Sequence, residues 1–131
     1  MSAEPAVLTG AEEVRWDLSD LYPSDDALAA DLDLAEADAL ALAGRYRGTL
    51  ATLDAATLAE AFAALAEVHD RAGRAYTYAY LAWSTDTESA EAGARLQRVR
   101  EAYSRIGQEL LFVDVEWARM DPEHTRALIE E

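Results

Sequence analysis

The side chains of this sequence that could do chemistry are two histidines and a large set of carboxylates. A His-Glu-x-x-His helix binds zinc through two histidines one turn apart, and its glutamate activates a water. Asp70 and Gly73 stand where that motif would need glutamate and histidine after His69, and the residues after His124 fail in the same way. We therefore predict no catalytic, metal-binding or cofactor-binding residue in this chain.

Adjacent carboxylates could act as general acid and base if they were buried. The pairs are Glu12 with Glu13, Asp25 with Asp26, Asp31 with Asp33, and Glu130 with Glu131. With 26 acidic residues among 131, such pairs arise by chance, and surface carboxylates are usually just solvated. A small carboxylate enzyme is therefore the weakest functional hypothesis. The chain has no cysteine and no lysine, which excludes disulfides, thiolate ligands and lysine-based covalent catalysis.

Three aromatic residues are spaced so that they share one face of a predicted helix. Tyr76, Tyr80 and Trp83 are four and three residues apart, whereas Tyr78 points elsewhere. One interpretation is packing against neighbouring helices, which we favour. The other is the wall of a peptide channel, in which the phenol groups hydrogen-bond an extended substrate.

A cluster of large apolar side chains lies between Trp16 and Tyr22, among aspartate and serine residues and just before a proline. Its spacing fits neither a helix nor a strand. It predicts an extended strap in which large side chains dock on the helices and short polar side chains satisfy the turning backbone. The strap residues are Trp16, Asp17, Leu18, Asp20, Leu21 and Tyr22.

The rest of the chain predicts an all-α fold of three long antiparallel helices and the start of a fourth, preceded by the strap. Apolar residues alternate at spacings of three and four, and short polar breaks separate the segments. The predicted helices span about 25–47, 55–84, from between 88 and 91 to 117, and 122–131, with Ser24, Asp54 and Asp121 as N-caps. The second stripe is Leu58, Phe62, Leu65, His69, Ala72, Tyr76, Ala79 and Trp83, with His69 half-buried at its edge, and the third includes Tyr103.

Composition limits the partners and the location. The net charge of −15 repels phosphate backbones and anionic lipids, so we expect neither nucleic acid nor a membrane as partner. The N-terminus lacks the pattern of a secretory signal, which favours the cytoplasm. We expect residues 1–15 to be a loose lead-in and residues 16–131 to form one helical domain.

The strap reads Trp-Asp-Leu-Ser-Asp-Leu-Tyr and resembles the N-terminal signature of the oligoendopeptidase F group of zinc metallopeptidases. A second stretch is also similar to that family, Tyr78-Ala79-Tyr80-Leu81 followed by Ser84-Thr85-Asp86-Thr87. The resemblance covers most of this chain but only the front of the family, whose members are largely helical hydrolases that cleave short peptides with one zinc ion. It implies that Trp16–Tyr22 ties the strap to the helical body.

The resemblance implies that this chain is the N-terminal wall and lid of such a peptidase and is inactive alone. Zinc and peptide substrates would then belong to the full-length protein, and the catalytic domain would be the partner. The fourth helix reaches Glu131 without a C-cap signal, as expected of a fragment. A fragment should expose apolar faces and self-associate through them. The alternative is a self-standing acidic helical module for protein–protein interaction.

Overall fold

The computed structural model describes residues 9–11 and 14–131, and helices joined by short connections make up most of them. The elements are α1 Asp25–Tyr46, a short 3-10 segment Leu50–Thr52, α2 Ala55–Thr85, α3 Ala90–Arg119 and α4 Pro122–Glu130. No strand occurs within these described ranges. The all-α prediction is confirmed. Most of the predicted lead-in and the pair Glu12–Glu13 lie outside the described residues.

Side-chain caps fix where the helices begin. The Ser24 hydroxyl and the Asp54 carboxylate each accept a hydrogen bond from a backbone N–H three residues later, at 3.1 and 2.7 Å. Asp121 accepts bonds from two backbone N–H groups in the first turn of α4, which Pro122 opens. These caps satisfy donors that a helix N-terminus leaves free, and they confirm the three predicted starts.

The three long helices run up, down and up, so that neighbours in sequence are antiparallel. One core layer joins the start of α1, the end of α2 and the start of α3 through Leu28, Ala79 and Leu96. The other layer joins the opposite ends through Leu42, Leu58 and Leu110. Each helix therefore contacts both of the others, and the core lies along the centre of a three-helix bundle.

Alanine occupies fully buried positions on α1 and α2. Ala35, Ala39, Ala75 and Ala79 are each 0 % exposed. A methyl group is the smallest side chain that still excludes water, so it lets two helices approach closely while it buries little area. Larger apolar side chains fill the space between these contacts and form the two layers.

The inward face of α2 differs from the predicted stripe. Ala61, Val68 and Ala75 are buried, whereas Phe62 is 36 % exposed and His69 is exposed rather than half-buried. Because alanine is frequent on every side of this helix, apolar spacing alone does not fix its rotation. Close packing favours the small residues inward and leaves the larger Phe62 at the rim.

Ion pairs join α1 to its two neighbours. Arg71 of α2 bonds Asp31 and Asp38 of α1, both at 2.9 Å. From α3, Arg95 reaches Asp25 at 2.7 Å and Arg105 reaches Glu36 at 2.7 Å. Among the described residues, no ion pair joins α2 to α3.

Glu116 of α3 fixes the connection between α1 and α2. Its two carboxylate oxygens accept hydrogen bonds from the backbone N–H groups of Gly48 and Leu50, at 2.8 and 3.3 Å. Gly48 has a φ of 83°, which an L side chain rarely adopts, and so ends α1 as predicted. This contact ties the turn to the bundle.

We predict that Gly73→Ala raises the free energy of unfolding by about 0.5–1 kcal/mol. Gly73 lies inside α2, and a Cβ built there meets nothing within 4 Å. Alanine would therefore gain helix propensity without a clash. Urea unfolding followed by circular dichroism measures the change.

Gly48→Ala is the matched control, since it also meets nothing within 4 Å but sits at positive φ. It should lower the free energy of unfolding by about 1–2 kcal/mol. Equal effects of the two substitutions would contradict this assignment of backbone conformations.

Candidate binding face between α2 and α3

Four aromatic rings form a continuous row on the surface between α2 and α3. Tyr76 and Tyr80 have nearly parallel planes with centroids 6.4 Å apart, and Trp83 lies 6.1 Å beyond Tyr80. Tyr103 of α3 contacts Tyr76 with centroids 5.5 Å apart and planes at 53°. We call these four residues the aromatic face.

The aromatic face is partly supported by the core and partly open to solvent. Tyr76 and Trp83 pack against the core layer that contains Leu96, whereas Tyr80 and Tyr103 remain 44 % and 43 % exposed. Packing accounts for the inner edges of these rings and leaves their outer edges available for contact. A row with one apolar side and free phenol groups is suited to binding another chain.

Tyr103 belongs to this face although the sequence predicted it as one of the core positions of α3. It follows Val99 by four residues and precedes Ile106 by three, so it shares their apolar stripe. Val99 and Ile106 are buried, whereas Tyr103 is largely exposed. Its contact with Tyr76 depends on how α3 lies against α2. No local spacing in the sequence reports that contact.

The strap is attached to the bundle mainly through its last two residues. Tyr22 is buried and Leu21 packs against the same core layer. Leu18 begins a turn, because its carbonyl accepts hydrogen bonds from the backbone N–H groups of Leu21 and Tyr22. At the other end Trp16 is 62 % exposed, so its indole is outside the core.

Short polar residues serve the turn of the strap. The Asp17 carboxylate accepts a hydrogen bond from the backbone N–H of Ser19 at 3.0 Å. The Ser19 side chain, and after it this backbone bond, favour the charged carboxylate and lower the pKa of Asp17. Asp20 is exposed within the turn.

Tyr22 connects the strap to α1 and α2 through one polar network. Its hydroxyl donates a hydrogen bond to Asp31, which also accepts an ion pair from Arg71. Its ring meets Tyr78 of α2 edge-on, with centroids 5.5 Å apart. Burial and the bond to Asp31 raise the pKa of Tyr22 well above the ordinary value of about 10.

The two histidines do not come together. His69 is exposed on α2, and the Nε2 atom of His124, on α4, lies 3.1 Å from the Ala51 carbonyl oxygen. Within the described residues, no group of three or more histidine, aspartate or glutamate side chains could hold a metal ion. The zinc that the family resemblance implies therefore does not fit these residues.

The carboxylate pairs that the structure describes have structural roles or face solvent. Asp25 pairs with Arg95, and Asp31 is held by Tyr22 and Arg71. The hydrogen bond from Arg95 to Asp25 raises the pKa of that guanidinium. Carboxylates engaged in this way support the bundle.

Comparison with known proteins gives no match to a family model, a curated protein or a solved structure. None of the helices in the described part of the chain combines the length and apolar character needed to cross a bilayer.

We predict that Tyr22→Phe lowers the free energy of unfolding by about 1–2 kcal/mol at neutral pH. The substitution keeps the ring contact with Tyr78 and removes the hydrogen bond to Asp31. Because the native state holds a phenol proton that the unfolded chain releases above about pH 10, the stability from this bond is lost as pH rises from there. Denaturation of both proteins from pH 7 upward measures the difference.

With no lysine in the chain, no ammonium group titrates in the same range. The stability gap between the parent and Tyr22→Phe should narrow at high pH. A gap that stays constant through that range would contradict the role of the phenol proton.

Proposed function

We propose that this chain is the N-terminal helical domain of an oligoendopeptidase F-like zinc metallopeptidase and forms a wall and lid beside the path of short peptides. The proposal starts from the amino-acid sequence of the strap, Trp16–Tyr22, which resembles the N-terminal signature of that family. The burial of Tyr22 and the packing of Leu21 against the bundle support it, because a strap that ties down a helical body requires such an anchor.

The observation that carries the proposal is the aromatic face. Tyr80 and Tyr103 each expose more than two fifths of their surface, next to Tyr76 and Trp83. An extended peptide has free backbone donors and acceptors as well as side chains, and phenol rings offer both a hydroxyl and an apolar surface to them. A channel wall needs this combination.

In this proposal the hydrolytic chemistry belongs to a separate catalytic domain, which is the partner of this chain. The described residues offer no site for zinc, so the metal, the attacking water and the general base would all come from that domain. Peptide substrates would meet this chain only in the full-length protein. The role of this chain would then be to position the peptide substrate and to enclose it beside the catalytic domain.

A second candidate function is a self-standing acidic module for protein–protein interaction. It is favoured by the core, which lies along the centre of the three-helix bundle and in which the described residues bury no charged side chain. The same aromatic face would then bind a partner protein outside any peptidase. The two candidates differ in whether a catalytic domain follows in the same gene.

The test compares the 131-residue chain with the protein encoded when its reading frame is followed past Glu131. We predict that the frame reaches a His-Glu-x-x-His segment and that the longer protein hydrolyses a quenched fluorogenic peptide with added zinc. The 131-residue chain alone should show no turnover. A frame without that motif would contradict the peptidase proposal and favour the interaction module.

Two sets of variants make the test specific. In the longer protein, Tyr80→Ala should raise KM several-fold with little change in kcat, whereas Leu40→Ala, on an exposed site of α1, should change neither. Zinc-dependent turnover by the 131-residue chain that is lost in His69→Ala/His124→Ala would overturn the assignment of chemistry to another domain.

A further inference from the structure

We call the surface line along which two neighbouring helices of the bundle meet a seam. The three seams differ in whether ion pairs cross them, and this difference distinguishes the seam between α2 and α3 as a candidate binding surface. Both seams of α1 are closed by ion pairs from Arg71, Arg95 and Arg105. The seam between α2 and α3 has none among the described residues and carries the aromatic face instead. Among the described residues, no ion pair between α2 and α3 has to be broken before a partner reaches these rings.

The net charge of the chain indicates which kind of partner this surface can bind. At −15, two copies of the chain repel each other, and anionic partners are repelled in the same way. A positively charged partner is attracted over long range. The excess of 26 acidic over 11 basic residues therefore favours a cationic segment on the aromatic face.

Aromatic rings bind such cations directly, because the face of the ring is electron-rich. The chain already uses this contact twice, with Arg45 over Tyr46 at 5.1 Å and Arg47 over Phe112 at 5.6 Å. No arginine of the described residues lies over the rings of the aromatic face in this way. Those rings remain open to a cation from outside.

Two glycines leave room for a backbone next to the rings. Gly73 precedes Tyr76 by three residues and Gly107 follows Tyr103 by four, so each lies one turn from a ring on the same side of its helix. A Cβ at either glycine would meet nothing within 4 Å. A peptide segment can therefore approach both helices closely while its side chains reach the rings.

From these observations we infer that the aromatic face binds an arginine- or lysine-bearing segment of a partner protein. The rings of Tyr80 and Tyr103 contact the cationic side chains, and the space above Gly73 and Gly107 receives the backbone. The inference concerns only this chain and does not depend on whether it belongs to a peptidase.

The experiment measures binding of a short fluorescein-labelled peptide of arginine, glycine and serine to the 131-residue chain by fluorescence anisotropy. A second peptide replaces each arginine by citrulline, which is nearly the same shape but neutral. The arginine peptide should bind and the citrulline peptide should bind at least about tenfold more weakly. Equal binding of the two peptides would overturn the inference.

Variants separate the rings from the overall charge. Tyr80→Ala/Tyr103→Ala should raise Kd about tenfold, whereas Tyr80→Phe/Tyr103→Phe, which keeps the rings, should stay within about twofold. Leu34→Ala/Leu40→Ala is the matched control, since both leucines are exposed on α1, and it should not change Kd. Circular dichroism on each variant establishes that it is folded.

Two further outcomes would refute the inference. Unchanged affinity in the folded alanine variant would mean that the net charge binds the peptide without the rings. Sedimentation velocity could instead show a dimer that Tyr80→Ala/Tyr103→Ala converts to a monomer, and a second copy would then be the occupant. A monomer that binds the arginine peptide through the rings supports the inference.

Discussion

Close contact between helices through alanine is the constraint on which this structure depends. Ala35 and Ala39 of α1 and Ala75 and Ala79 of α2 are completely buried, and a side chain as small as a methyl group allows helices to pack closely. Each methyl group removes little apolar area from water, and the larger side chains in two core layers must supply most of the hydrophobic stabilisation. Alanine packing alone does not fix the rotation of each helix about its axis. The ion pairs and aromatic rings at the helix surfaces limit that rotation.

The seams of α1 use arginine for a reason that its shape explains. Arg71 reaches Asp31 through Nε and Asp38 through a terminal nitrogen, and these two carboxylates are seven residues apart on α1. A planar guanidinium with five donors can connect two such acceptors, whereas the ammonium of lysine offers a single nitrogen. The acids on α1 are thereby paired where they face the bundle. The surface between α2 and α3, where the described residues form no such pair, carries aromatic rings instead.

Much of this fold could be predicted from local signals in the sequence. The N-caps Ser24, Asp54 and Asp121 and the positive φ of Gly48 act within one turn, and the helices begin and end close to the predicted residues. The rotation of α2 could not be predicted, because alanine on several faces makes the apolar stripe ambiguous. The contact of Glu116 with the turn after α1 also escapes local spacing, since its partners lie more than sixty residues earlier.

The candidate site, like the fold, could be predicted from the sequence only where its residues lie on one helix. The spacing of Tyr76, Tyr80 and Trp83 places them on one face, but the position of Tyr103 beside them follows only from the packing of α3 on α2.

The strap is connected to the aromatic face through the core. Tyr22 contacts Tyr78 and belongs to the core layer that also supports Tyr76 and Trp83. Because residues two apart on a helix point to different sides, the strap holds α2 from one side and the aromatic face opens on another. The strap therefore supports the aromatic face through the core layer against which Tyr76 and Trp83 pack.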